Sequence, residues 1–176
     1  MDKPMSAYHF KLMSLSYKLR DFVLPCTNIV NEVGIQPGFQ VLDYGCGPGS
    51  YIQPLADLVG RSGNIYALDI HPLALQKVQN IASKRNLTNV QTILSNCKTG
   101  LPDKSIDVVL LYDTFHDLSD PNGVLEELHR VLKPSGILSF SDHHMNEHEI
   151  VSEVTKSGLF KLLRKGKRTY RFSKED

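Results

Sequence analysis

Between residues 5 and 22, apolar side chains recur at alternating steps of three and four, at Met5, Tyr8, Leu12, Leu15, Leu19 and Phe22, which predicts an amphipathic helix. Phe10, Met13 and Tyr17 widen that stripe, His9, Lys11, Lys18 and Arg20 supply a polar side, and Pro25 ends the helix. A short helix follows over about 27–33, stopped by Gly34. From Phe39 to Leu42 the pattern becomes the unbroken apolar run of a buried strand, and Ile52, Leu55, Ala56 and Val59 then return to helical spacing. Asn64 to Ile70 reads as a second strand, Pro72 to about Arg85 as a helix with Leu75, Val78, Ile81 and Ala82 inward, and Val90 to Leu94 as a third strand. Two more strands, over Ser105 to Val109 and Ile137 to Ser141, flank a helix from Pro121 to Leu132 that Lys133-Pro134-Ser135-Gly136 breaks. A helix near 147–157 and two short strands, about 159–164 and 169–172, close the pattern. Helices alternating with strands predict an α/β fold: a doubly wound, mostly parallel sheet of about seven strands, with a C-terminal antiparallel hairpin and an extra N-terminal helix.

A chain of 176 residues fits one structural domain, divided here into an N-terminal helical segment, 1–34, and a ligand-binding body, 35–176. Twenty basic against nineteen acidic side chains leave a formal charge of +1, so no global field argues for nucleic acid or an anionic membrane. The basic run Lys161, Arg164, Lys165, Lys167, Arg168 and Arg171 suits a charged edge strand better than an RNA surface. Cys26, Cys46 and Cys97, an odd set with no Cys-x-x-Cys spacing, suit reduced thiols in the cytoplasm, and no stretch is long and apolar enough to span a membrane.

The chemistry concentrates in Gln40 to Tyr51, where a strand runs through Asp43 into Gly45-x-Gly47-x-Gly49 and then a helix. The dinucleotide fingerprint needs a glycine at the position of Ser50, so a pyrophosphate ligand is disfavoured. Asp69 ends the next strand twenty residues past Gly49, where such a unit places an acid for ribose hydroxyls. Together these residues resemble the class I S-adenosylmethionine-dependent methyltransferases, a Rossmann-like family, and most closely their small-molecule subgroup related to ubiquinone biosynthesis. The resemblance covers roughly residues 35–172. It implies S-adenosyl-L-methionine as cofactor, held by Asp43, Gly45, Cys46, Gly47, Gly49, Asp69, Ile70, Asn96 and Cys97, with Asn96 standing where the family commonly carries Asp. It also implies a small-molecule methyl acceptor as partner; membrane and nucleic acid are not expected, and a homodimer is left open.

On the acceptor side, Asp113 and His116 follow the fourth strand and Asp142, His143 and His144 the fifth, so both groups should reach one mouth. His116 and then His143 are the candidate bases, with Asp113 beside them. A metal is not expected, although Asp142-His143 with Asp113 or Asp117 has the residue types of a ligand set, placed as in catechol-type methyltransferases at the level of fold. The N-terminal helix is expected to cover the acceptor pocket through Tyr8, His9, Met13 and Tyr17, and its deletion to spare the cofactor. Two other readings stay open: a non-catalytic partner subunit, and a nicotinamide oxidoreductase using Tyr170-x-x-x-Lys174, a pair expected on an edge strand far from any crevice.

Overall fold

The computed structural model describes residues 4–23 and 26–175. Pro25 and the side chains of Lys18 and Phe22 lie outside the described residues. The chain runs α1 (Ala7–Val23), α2 (Thr27–Val30), β1 (Gln40–Tyr44), α3 (Ile52–Val59), β2 (Asn64–Asp69), α4 (Pro72–Lys84), β3 (Val90–Leu94), β4 (Ile106–Tyr112), a 3-10 turn (Phe115–Asp117), α5 (Pro121–Val131), β5 (Leu132–Ser141), α6 (Glu147–Thr155), β6 (Phe160–Lys165) and β7 (Tyr170–Lys174). One seven-stranded sheet has the order β3-β2-β1-β4-β5-β7-β6, in which β1 to β5 run parallel and β7 is antiparallel to both its neighbours. The expected architecture is the one observed.

Alternation along the strands explains the two layers of helix. Leu42, Val109, Leu111 and Phe140 face one way, onto Leu125 and Leu128 of α5 and Ile150 and Val154 of α6. Val41, Val108 and Leu110 face the other, onto Val30 of α2, Ile52, Leu55 and Val59 of α3 and Val78 of α4. Each such side chain stabilises the fold by about 1.5–3 kcal/mol when fully buried. Helix starts are fixed locally: Asp120 accepts from Gly123 N, and Asn146 and Glu149 form a reciprocal capping box.

Three elements depart from the pattern read in the sequence. The stripe Tyr8, Leu12, Leu15 and Leu19 is exposed, and α1 packs instead through Phe10, which is 1% exposed, and Ser14. The helix carries apolar residues on opposite faces, so periodicity alone could not choose between them. β5 starts at Leu132, five residues early: the break at 133–136 becomes a register shift, because Leu132 already pairs with Ile106 before Ile137 pairs with Val108. And β7 lies inside the sheet, leaving β6 as the edge. Glu32 stitches the β6–β7 turn to the N-terminal part of the chain, accepting from Arg168 N at 3.1 Å and from Thr169 Oγ1 at 3.0 Å.

Candidate active site

Parallel strands ending at one edge, with the crossover reversing beside β1, leave a crevice at their C-terminal tips. Two adjoining spaces occupy it. The inner chamber is walled by the loop after β1 (Gly45, Cys46, Gly47), by Asp69, Ile70 and His71 at the tip of β2, and by Ser95 and Asn96 past β3. The outer mouth is walled by His116, Asp142, His143, His144, Arg168 and Tyr170. Tyr17, Arg20, Asp113 and Asp117 border both spaces, so the two meet there.

The glycines have separate reasons. At Gly47, φ is +50° and an added Cβ would find no protein atom within 4 Å, so the backbone forms a wall whose missing side chain leaves room in the chamber. At Gly49 an added Cβ would meet Ile81 at 2.9 Å and Val78 at 3.2 Å, so this residue lets α4 pack on the loop and is not part of the wall. Asp69 binds the two sides together: Oδ2 accepts from Gly47 N at 2.8 Å and Oδ1 from His71 N at 2.7 Å. The carboxylate's remaining acceptor capacity suits a ligand hydroxyl. Burial raises the Asp69 carboxyl above its ordinary value, and the N-H groups of His71 and Gly47 oppose the shift.

Asp43 is 2% exposed and lies behind the loop, outside the chamber wall, with Oδ2 unpartnered. Burial, reinforced by the charge of Asp69, pushes its carboxyl up to about 7. A buried acid in this condition calls for a cation nearby. Cys97 also stands outside the wall; its carbonyl and that of Asn96 accept from the Tyr44 hydroxyl, at 3.5 and 3.2 Å. Of the nine residues expected at the cofactor, Gly45, Cys46, Gly47, Asp69, Ile70 and Asn96 therefore line the chamber, and Asp43, Gly49 and Cys97 support it from behind.

These features fit S-adenosylmethionine. An open cradle at Gly47, a carboxylate with spare acceptor capacity for ribose hydroxyls, and an unpartnered buried acid on the side of the glycine loop suit a ligand with a nucleoside at one end and an ammonium at the other.

At the mouth the histidines are paired with carboxylates. His116 Nδ1 lies 2.8 Å from Asp142 Oδ2, and Asp142, 5% exposed, also accepts from His116 N and His144 N. His143 Nδ1 lies 2.8 Å from Asp113 Oδ1, whose other oxygen faces Arg20 at 3.5 Å. Asp113 takes a φ of +49°, uncommon for a residue with a side chain, and this aims its carboxylate across the strand tips. Asp113, Asp142 and His143 also offer one ligand atom each within 4.8 Å of one another.

The helix α1 roofs both spaces: Phe10, Met13, Tyr17 and Arg20 wall the inner chamber, and Met13, Ser16, Tyr17 and Arg20 the mouth. Tyr8 is 69% exposed and, like His9, does not reach either space. Tyr170 does line the mouth, contrary to the expected distance from any crevice, but Lys174 stands at the far end of β7 and donates to Leu132 O at 3.4 Å. The Tyr-Lys pair is thereby split across the strand. Sequence reasoning missed His71 and Arg20 as wall residues. A histidine between a strand-tip acid and a helix-opening proline was the available signal for the first; an arginine on a helix has none.

A family model described as a methyltransferase domain matches residues 35–173. A demethylmenaquinone methyltransferase of Geobacillus stearothermophilus is 31% identical over 130 residues, which are 73% of this chain and 56% of that protein. The ubiquinone/menaquinone biosynthesis C-methyltransferase UbiE of Shewanella sp. (strain W3-18-1) is 29% identical over 134 residues, 75% of this chain and 53% of that protein. The chain thus spans about half the length of these curated relatives. Among solved structures, a SAM dependent methyltransferase from Aquifex aeolicus superposes with a TM-score of 0.82 at 26% identity, covering 97% of this chain and 98% of the other. A putative S-adenosyl-L-methionine-dependent methyltransferase from Methanococcus maripaludis, 17% identical with a TM-score of 0.77 over 100% and 98% of the two chains, shares the fold.

Proposed function

The chain belongs to the methyltransferase-domain family and has S-adenosylmethionine as its cofactor, and we propose from that premise that the mouth receives a small hydroxylated acceptor whose proton is taken by a histidine held by a carboxylate. The observation that carries this reading is the His116–Asp142 pair at 2.8 Å, in the wall of the mouth that adjoins the chamber suited to the methyl donor. When bound, the cofactor supplies an electrophilic methyl on sulfonium.

The residues divide the work as follows. Gly45, Cys46 and Gly47 admit the ligand's chain, and Asp43 supplies negative charge behind them. Asp69 accepts the ribose hydroxyls, while Ile70 and Asn96 border the base. Asp142 holds His116 Nδ1, which fixes the tautomer and leaves Nε2 as the basic nitrogen. Nε2 is left to take the proton of an acceptor hydroxyl seated in the mouth. His143, oriented by Asp113, is the alternate base and lies more exposed. The roof α1 walls both spaces, so removing residues 1–22 should weaken cofactor binding as well as methyl transfer. Positioning in line supplies on the order of 7–11 kcal/mol, and general-base help typically 10²–10⁴-fold.

Demethylated naphthoquinols are the first acceptors to try, because the relatives are named for such rings. A second reading is favoured by one observation, the convergence of Asp113, Asp142 and His143: a divalent cation bound there would orient an acceptor oxygen. Transfer of labelled methyl to a panel of quinols and phenols, by wild type and His116→Ala with and without chelator, separates the two. A loss of about 10²-fold or more in His116→Ala, indifferent to chelator, supports the base. Activity abolished by chelator and restored by a divalent cation supports the metal. Full activity of His116→Ala in chelator overturns both.

A further inference from the structure

We propose that His71 donates a hydrogen bond to the nucleoside of the bound cofactor, a role that rests on assigning the inner chamber to S-adenosylmethionine. The imidazole is fixed from two directions. Its Nδ1 accepts from Leu73 N at 3.1 Å, which caps the start of α4, and its own backbone N-H is held by Asp69 Oδ1 at 2.7 Å. With Nδ1 committed as an acceptor, the ring carries its proton on Nε2. That nitrogen is buried without a partner among the described residues, in a residue 7% exposed that borders the chamber. The Phe10 ring of α1 lies against the imidazole at 4.4 Å between centroids and shields it from water.

A cap alone does not explain this arrangement. Serine or aspartate would cap α4 equally well without burying a second polar nitrogen. Buried donors almost always find an acceptor, and none of the described residues supplies one here. His71 stands two residues past Asp69, beside the position assigned to ribose, and a nucleoside is rich in uncharged acceptors on its sugar oxygens and ring nitrogens. The same ring is the seat of Phe10, so a ligand held by His71 rests against the roof's own anchor.

Two substitutions isolate the Nε2 hydrogen. His71→Asn keeps a good helix cap but loses the ring and its reach, whereas His71→Phe keeps the ring under Phe10 but loses the cap. The amide introduced by His71→Asn also donates, but from a point short of Nε2, so the two variants share only the loss of a donor at that position in the chamber. Titration calorimetry with S-adenosylhomocysteine should find both variants about tenfold weaker than wild type, the equivalent of one buried hydrogen bond. Thermal unfolding without ligand identifies any change caused by the cap itself. Weakening in one variant alone would trace the effect to cap or ring and overturn the proposal, as would wild-type affinity in both. The wild-type titration tests the chamber independently: no binding there sinks the cofactor assignment itself, while tight wild-type binding with unchanged variants sinks only the role of His71.

Discussion

Two buried carboxylates in this protein have opposite fates. Glu127 on α5, 1% exposed, accepts from Thr99 N, Thr99 Oγ1 and the Arg130 guanidinium, at 2.8, 2.7 and 2.7 Å. Burial alone would raise its carboxyl, but the hydrogen bonds from Arg130 and Thr99 win and hold it at about 2. Asp43, equally hidden, has an unpartnered oxygen and sits at about 7. Burial acts on both acids in the same direction, so burial alone does not identify a functional group. What distinguishes the glycine-loop acid is that the fold leaves its charge uncompensated. Glu127 ties the loop before β4 to α5, a structural task completed within the chain, whereas no described residue partners Asp43 Oδ2.

The comparison breaks most visibly at Glu127. Glu127→Ala leaves Thr99 and the Nε and Nη2 of Arg130 without their acceptor and should cost about 3 kcal/mol, lowering the melting temperature by roughly 10 °C. The affinity of the folded fraction for S-adenosylhomocysteine should stay unchanged. Asp69→Ala should act on the opposite quantity: it removes the acceptor for Gly47 N and for the ribose, and calorimetry should show affinity at least about tenfold weaker. Asp43→Asn should weaken cofactor binding by about tenfold yet stabilise the unliganded protein at pH 8 by about 1 kcal/mol, since an uncompensated buried charge is gone. A wild-type stability would contradict the account given of Asp43.

The dependence of stability on pH is the most diagnostic. Because Asp43 has a folded value near 7, above the ordinary 3.8, the folded chain holds the extra proton, and its contribution makes stability fall as pH rises from about 4 to 7. Glu127, held at about 2 against an ordinary 4.5, contributes stability above pH 4.5 that is lost as pH falls toward 2. Denaturant melts across pH should therefore change slope between pH 4 and 7 in Asp43→Asn and below pH 4.5 in Glu127→Ala. Identical pH profiles for both variants would remove the distinction.

Much of this was legible in the chain itself. Strands in the body announce themselves as apolar runs between glycines, and Gly45, Gly47 and Asp69 reach the chamber because strand tips in a parallel sheet converge. What escaped has physical causes. Helical period could not tell which of two apolar faces of α1 would pack, since that depends on a partner surface distant in sequence. The sequence places Asp113, His116, Asp142 and His143 at one mouth but cannot say which carboxylate holds which imidazole, because the pairing turns on the unusual backbone at Asp113. Nor does any spacing rule assign a polar atom to a residue that, like His71, serves a helix with one nitrogen and a cavity with the other.

The place of β7 between β5 and β6 bears on how the molecule is made. A ribosome delivers β6 before the strand that joins it to the sheet, so the nascent chain must hold β5 with an open flank until Tyr170–Lys174 emerges and slots in. Ser139 and Phe140 of that flank pair with Arg171 and Tyr170, and Tyr170 with Arg168 completes the mouth. Delivered after β6, β7 thus closes the open flank of β5 and brings Tyr170 to the mouth in one event, so that a chain interrupted before residue 170 would expose that flank and lack part of the mouth's wall.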